Sequence, residues 1–215
     1  MSAQSGESTT PAGEAEAFWE PHYVGSAPGT GGPNAVLRDL VSASHPGQAL
    51  DLGCGGGGDV LWLAERGWTV LTVDVSATAL ARVVDRASGA GLVDRVRTER
   101  HDLTATFPKG QFDLVSAQYL LSPIAFDRPP VFARAAEAVR PGGMLLIVDH
   151  ASVPPWSWAD PGTVFPTPEQ TLDSIGLDSE QWQTVRLEDA DRDAVGPAGQ
   201  RATVTDTIIG LVRRA

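Results

Sequence analysis

From residue 47 onward, apolar segments of two kinds alternate along the chain. Short runs bounded by glycine or acid read as strands, and runs with apolar residues every three or four positions read as helices. Ala49–Asp51 closes a first short apolar strand. Val60, Leu61, Leu63 and Ala64 follow at helical spacing, and Gly67 sits where a helix stops. Trp68–Val73 is a second strand, ending at Asp74. Ser76 is a good N-cap for the next helix, which carries Leu80, Val83, Val84 and Ala87 on one face. Val96–His101 is a third strand, polar enough to suit a sheet edge, because a central parallel strand is apolar on both faces. Phe112–Ala117 is a fourth. Pro129 and Pro130 open a helix with Phe132, Ala135, Ala136 and Val139 on one face, and Pro141-Gly142-Gly143 turns the chain into a fifth strand, Met144–Asp149.

The pattern then changes. Residues 151–166 are irregular and rich in Pro and Trp. Thr167-Pro168-Glu169-Gln170 carries a helix start: a Thr cap, Pro in the first turn and Gln three residues on. Two β segments, Trp182–Leu187 and Ala202–Val212, are separated by Gly196-Pro197-Ala198-Gly199 with no helical pattern, so they should pair as an antiparallel hairpin. The expected fold is α/β: a doubly wound, Rossmann-like, mostly parallel sheet finished by a C-terminal antiparallel hairpin. With no internal repeat or linker, residues 18–215 read as a single domain, of which 18–46 form a helical N-terminal cap. Residues 1–17 are small, polar and acidic, and read as a disordered tail.

Composition narrows the partners. A chain of 215 residues suits one full core. No apolar stretch is long enough to cross a bilayer, and the first 17 residues lack the basic start and apolar middle of a signal peptide. The single cysteine, Cys54, excludes an internal disulfide. These features point to the cytoplasm and away from a membrane. The net charge of -11 repels phosphate backbones, so a small molecule is a better partner than nucleic acid. No metal spacing is present, since Cys54 is alone and the four His are scattered. Oligomeric state is not legible.

The candidate chemistry begins at the first strand end, where residues 49–59 read ALDLGCGGGGD. A strand-to-helix turn made of glycine lets bare backbone approach a ligand. Gly53, Gly55 and Gly58 fit the G-x-G-x-x-G of a dinucleotide site; Asp51, Gly53, Gly55 and Gly57 fit a second pattern. Asp51 separates the two. A carboxylate is unwelcome beside an anionic pyrophosphate, whereas the sulfonium and ammonium of S-adenosylmethionine would favour it; its alternative is to cap loop amides. Asp74, at the end of the second strand, can accept from both ribose hydroxyls of an adenosine ligand or cap the next helix. Asp102 can accept from an adenine amino group while Leu103 covers the ring. Three acids thus stand at three successive strand ends, on the edge where such folds bind ligands. Gly58 serves as spacing before a helix starting near Asp59.

With these residues in place the sequence resembles the class I S-adenosylmethionine-dependent methyltransferases. The matching pieces are ALDLGCGGG (49–57), LTVDVS (71–76), HDL (101–103), FDLVSAQYLL (112–121) and RPGGMLLIVDH (140–150). FWEPHY, GPNAVL and LWLAERGWTVLTVDVS look like the small-molecule branch that includes tellurite-resistance-type and thiopurine-type enzymes. The resemblance implies S-adenosylmethionine as cofactor. Asp51, Gly53, Cys54, Gly55 and Gly57 would line its methionine and ribose part. Asp74 would hold the ribose hydroxyls, Val75 and Leu103 would pack on the adenine, and Asp102 would take its amino group. Gln118 would face the methionine end. The close branch often has a His near position 121; this chain has Leu121, so no catalytic role carries over to that segment.

Methyl transfer needs proximity and a dry pocket, and a base only if the nucleophile must lose a proton early. His150, at the end of the fifth strand, is the best-placed base, with hydrogen bonding to nearby backbone as its alternative. Tyr23, beside His22 in the N-terminal cap, is the second candidate, with packing on Trp19 as its alternative. His101 reads as structural. Trp156, Trp158 and Phe165 either clasp a flat or cationic substrate or pack a Pro-rich loop onto the core. The two rival functions are a nicotinamide-dependent oxidoreductase, which lacks a Ser/Tyr-x-x-x-Lys pair here, and a non-catalytic binding module.

Overall fold

The computed structural model describes residues 13–27, 31–157, 159–160 and 162–215; Trp158 and residues 1–12 of the expected tail lie outside these. Seven strands form one sheet in the order β3-β2-β1-β4-β5-β7-β6. β1 (Gln48–Leu52), β2 (Thr69–Asp74), β3 (Val96–Arg100), β4 (Phe112–Gln118) and β5 (Val139–His150) run parallel. β7 (Arg201–Arg213) is antiparallel to both β5 and β6 (Trp182–Val195). The polar third strand lies at an edge, and the last two segments pair as the expected hairpin.

Strand periodicity divides the core in two. Leu50, Leu52, Val115 and Ile147 face the layer of α5 (Arg128–Glu137) and α6 (Pro168–Ile175), where Phe132 and Ile175 meet them. Ala49, Val70, Leu146 and Val148 face the other layer, with Leu37 of α2 (Ala35–Val41), Leu63 of α3 (Gly58–Glu65) and Val83 of α4 (Ala77–Gly89). Each fully buried Leu or Val contributes about 1.5–3 kcal/mol. The caps form as the sequence specifies. Ser76 Oγ accepts from Ala79 N at 3.1 Å, and Thr167 and Gln170 make a reciprocal capping box.

Several boundaries differ from the sequence reading. The N-terminal helix α1 (Glu14–Gly25) starts ahead of residue 18, so residues 14–17 are helical. Val84 is exposed, and Ala79 completes the buried face of α4 with Leu80, Val83 and Ala87. Val139 begins β5, after α5 has ended at Glu137, and Pro141–Gly143 are carried inside that strand where the β4–β5 register shifts between Phe112 and Leu114. The hairpin is longer than its apolar runs. Glu188–Val195 is acidic and does not alternate, yet it is strand because β7 supplies cross-strand donors. Thr207 Oγ1 donates to Asp189 at 2.6 Å and Thr205 Oγ1 to Asp191 at 2.7 Å.

Candidate active site

Two clefts open over the carboxyl ends of the central strands and meet at Gly53, Gly55, Gln118 and Tyr119. The smaller, about 290 Å³, also takes in Asp74, Val75, Asp102 and Leu103, with Trp19 and Tyr23 of α1 across its mouth. The larger, about 750 Å³, takes in Cys54, Gly57 and Asp59 from the loop and Asp191, Arg192 and Asp206 from the hairpin. Nine of the ten cofactor residues expected from the sequence therefore line one cleft or both. Asp51 lines neither: it is buried beneath the loop, 3% exposed, where Thr72 Oγ1 donates to it at 2.6 Å.

The loop is built tightly. Gly57 is left-handed, with φ of 76°, and a Cβ on it would stand 2.9 Å from Val83 Cγ2. Gly58 does more than space the helix. A Cβ there would lie 2.5 Å from the carbonyl oxygen of Gly32, so the segment before α2 sits directly on the start of α3. Asn34 N donates to Asp59 Oδ1 at 2.6 Å across the same contact.

The acids are shielded but not neutralised by cations. Burial, then the neighbouring Asp59, pushes the Asp51 carboxyl up to about 8. Burial raises Asp74 as well, against a hydrogen bond from Ser76 N at 2.9 Å and one from the Cys54 thiol at 3.4 Å. Burial and the acids Asp74 and Asp51 raise the Cys54 thiol, so it stays protonated. Asp102 Oδ1 is taken up by Thr104 N and Oγ1 at 3.0 and 2.6 Å, and the Leu103 carbonyl accepts from Arg134. Gln118 Nε2 donates to Ser116 Oγ at 2.8 Å, while its Oε1 is shielded from solvent and has no hydrogen-bond partner in the structure.

Helix α1 buries no residue of its own and is clipped over the smaller cleft by polar contacts. Glu20 accepts from Ser76 Oγ at 2.6 Å and Thr78 Oγ1 at 2.5 Å, bonds that pull its carboxyl down to about 2. Glu16 pairs with Arg100 at 2.5 Å, and Trp19 Nε1 donates to Ser122 Oγ at 3.3 Å. Burial and then Asp74 raise the Tyr23 phenol, which makes it a donor at neutral pH and a poor base.

His150 is not brought into either cleft. Its ring stacks on Tyr119 with centroids 4.3 Å apart, and its Nδ1 lies 3.5 Å from Asp206 Oδ1. Tyr119 is the side chain that reaches the junction. It is the one described non-glycine residue with positive φ, at 52°, a conformation that costs about 1–3 kcal/mol. The sequence reading passed over Tyr119, Arg192 and Asp206. A left-handed backbone leaves no mark in the letters, but Asp206 had one: it is an acid inside the run TVTDTIIGLV, 3% exposed. Trp156 packs on the hairpin tip, where a Cβ on Gly196 would lie 2.6 Å from its ring, and Phe165 lines neither cleft.

A doubly wound sheet in this strand order, closed by an antiparallel hairpin and with its ligand loop after β1, defines the class I methyltransferase fold. Residues 49–143, which carry the loop and the strand-end acids, match the methyltransferase domain family. Trans-aconitate 2-methyltransferase of Deinococcus radiodurans is 35% identical over 127 residues, 56% of this chain and 46% of that protein. The chain spans less than half the length of the first curated relatives it matches. A protein solved in work on the conversion of a disulfide bond into a thioacetal group during echinomycin biosynthesis superposes with a TM-score of 0.70. It is 25% identical, and the match covers 93% of this chain and 91% of that one. TehB from Haemophilus influenzae shares the fold at a TM-score of 0.67 and 21% identity, over 85% of this chain and 62% of that one. No helix among the described residues is long and apolar enough to cross a membrane.

Proposed function

We propose that the protein transfers a methyl group from S-adenosylmethionine to a small-molecule acceptor in the cytoplasm. The observation that carries this is the smaller cleft, where Asp74, Asp102, Val75 and Leu103 converge beside a loop of bare backbone. That set fits the cofactor. Asp74 would accept from the ribose hydroxyls and Asp102 from the adenine amino group, with Val75 and Leu103 on the ring faces. The unpartnered Gln118 Oε1 would accept from the ammonium, and the shielded carboxyls favour a cationic ligand. When bound, S-adenosylmethionine supplies a methyl on a sulfonium that is already electrophilic.

The chain's own work is then placement and exclusion of water. Trp19 and Tyr23 cover the cleft, and the larger cleft receives the acceptor at Gln118 and Tyr119. Among the described histidines His101 lines the smaller cleft, but both of its ring nitrogens are already engaged, with Thr106 Oγ1 at 2.9 Å and Glu99 Oε2 at 3.1 Å. Tyr23 and Tyr119 are held protonated, and His150 stands behind Tyr119. This favours an acceptor whose lone pair is available without an enzymic base, such as a thiolate or a free amine.

The nicotinamide reading is disfavoured by Gly58, which faces the Gly32 carbonyl, and by the carboxyls of Asp74 and Asp59, which line the clefts beside the loop. Calorimetry tests the choice. The protein should bind S-adenosylmethionine and its demethylated product in the micromolar range and NAD weakly or not at all. Losing two hydrogen bonds to a carboxylate, Asp74→Ala should weaken cofactor binding by about 10–100-fold. No binding of either methionine ligand would sink the proposal. Label transfer to RNA in place of thiols, phenols, amines and metalloid oxyanions would replace the small-molecule acceptor, and binding without transfer to any would favour a non-catalytic module.

A further inference from the structure

The reading of the two clefts leaves unexplained why Tyr119 is held in so unusual a conformation at their junction. Its backbone is pinned from both sides: Tyr119 N donates to Val148 O at 2.7 Å, and its own carbonyl accepts from Leu121 N at 2.8 Å. Its side chain is pinned by the hairpin. The phenol donates to Asp206 Oδ2 at 2.6 Å. Asp206 stands opposite His150 in the β5–β7 register and is buried, and it also receives Arg192 Nε at 2.5 Å and Nη2 at 3.4 Å. The Arg192 guanidinium lies 5.8 Å from the centroid of the Tyr119 ring, and His150 stacks on that ring. Apart from the Leu121 bond, these contacts come from β5, β6 and β7, whereas the loop and the strand-end acids come from β1 to β3. Tyr119 is the point at which the two halves of the sheet meet around one ligand position.

We propose that Asp206 is a positioning residue: by holding the Tyr119 phenol it fixes that ring as the wall against which the cofactor's methyl group is presented to the acceptor cleft. The inference rests on the proposed use of S-adenosylmethionine. An electron-rich ring face is a favourable neighbour for a sulfonium. The hydrogen bond at its hydroxyl fixes where the ring lies, and the stacked His150 fixes its plane, so the ring meets that neighbour in one orientation. Without the tether the conformation of Tyr119 has lost its main side-chain restraint, and the wall moves while the adenosine contacts at Asp74, Asp102 and Leu103 stay in place.

The methyl resonance of bound [methyl-13C]S-adenosylmethionine reads this directly and needs no acceptor. In the unsubstituted protein it should lie upfield of the free cofactor, from the ring current of Tyr119. Tyr119→Leu should return it toward the free position. Asp206→Ala and Tyr119→Phe should shift it partway and broaden it, and Asp206→Asn, whose amide oxygen can still accept from the phenol, should restore it. Affinity should change by less than about threefold in Asp206→Ala and Asp206→Asn, because the adenosine contacts are untouched. A bound methyl signal at the same position in the unsubstituted protein and in Tyr119→Leu overturns the proposal, as does an Asp206→Ala signal identical to that of the unsubstituted protein. Absence of any bound signal in the unsubstituted protein would instead overturn the cofactor assignment on which the inference rests, and the calorimetric titration identifies that case.

Discussion

Asp51→Asn is expected to raise the melting temperature of the ligand-free protein and, in the same variant, to weaken its hold on S-adenosylmethionine. The carboxyl is buried, bonded to Thr72 and raised to about 8, against an ordinary value of 3.8. Between those two values the folded state binds a proton that the unfolded state has released. Stability therefore falls as pH rises across that window, and the contribution is fully present only below the lower value. Asparagine keeps an acceptor for Thr72 and has no proton to lose. At pH 8 it should stabilise the free protein by about 1–3 kcal/mol, several degrees of melting temperature, and near pH 4 by almost nothing. Thermal melts from pH 4 to 9 would show the two curves converging at the acid end, and a gap of constant size would refute the assignment. Binding of a cationic cofactor should favour the ionised carboxylate. Affinity in the unsubstituted protein should thus climb as pH rises toward about 7, above which the cofactor's own amine begins to deprotonate. Asp51→Asn should lose that climb.

Gly58→Ala should be the most disruptive single methyl in the glycine loop. The added carbon would stand 2.5 Å from the Gly32 oxygen and 2.7 Å from that of Gly31, both backbone atoms with no rotamer to change. The segment must lift off, which breaks the Asn34–Asp59 hydrogen bond and loosens α2, whose Leu37 and Val41 are buried. We expect a loss of about 2–4 kcal/mol, or roughly 5–15 °C in melting temperature. Gly89→Ala is the control. It lies in the last turn of α4 with nothing within 4 Å, and should be neutral or stabilising by up to about 1 kcal/mol. Equal melting temperatures for the two variants would show that the contact at Gly58 carries no weight.

These two glycines illustrate what could be read from the letters. Where an element is specified by its own residues, the reading was sufficient. The apolar runs at 49–52 and 144–148 became central strands, Ser76 and Thr167 became caps, and the strand-end acids Asp74 and Asp102 came to line one cleft with Val75 and Leu103. Where a residue's role is set by something distant in the chain, it was not. Gly58 looks like any other glycine of its run until Gly32 is seated on it. Glu188–Val195 is an unpromising strand until Thr205 and Thr207 bond to its aspartates. His150 has the right strand end, yet the stacking of Tyr119 places it behind the junction, and only the paired register of β5 and β7 brings Asp206 to Tyr119. The tertiary partner, and not local propensity, decides each of these.

The two outermost strands share a further property. β3 reads VRTER and the outer half of β6 reads EDADRDAV, and each presents an unpaired backbone edge at one end of the sheet. An apolar edge of that kind would template pairing with a second sheet and lead to aggregation, whereas a row of charges makes each such approach a desolvation of Arg, Glu or Asp. The polarity that marked β3 as an edge strand and hid the outer half of β6 is therefore what stops the sheet at seven. Exchanging these charges for valine should strengthen β propensity on paper and yield a protein that precipitates.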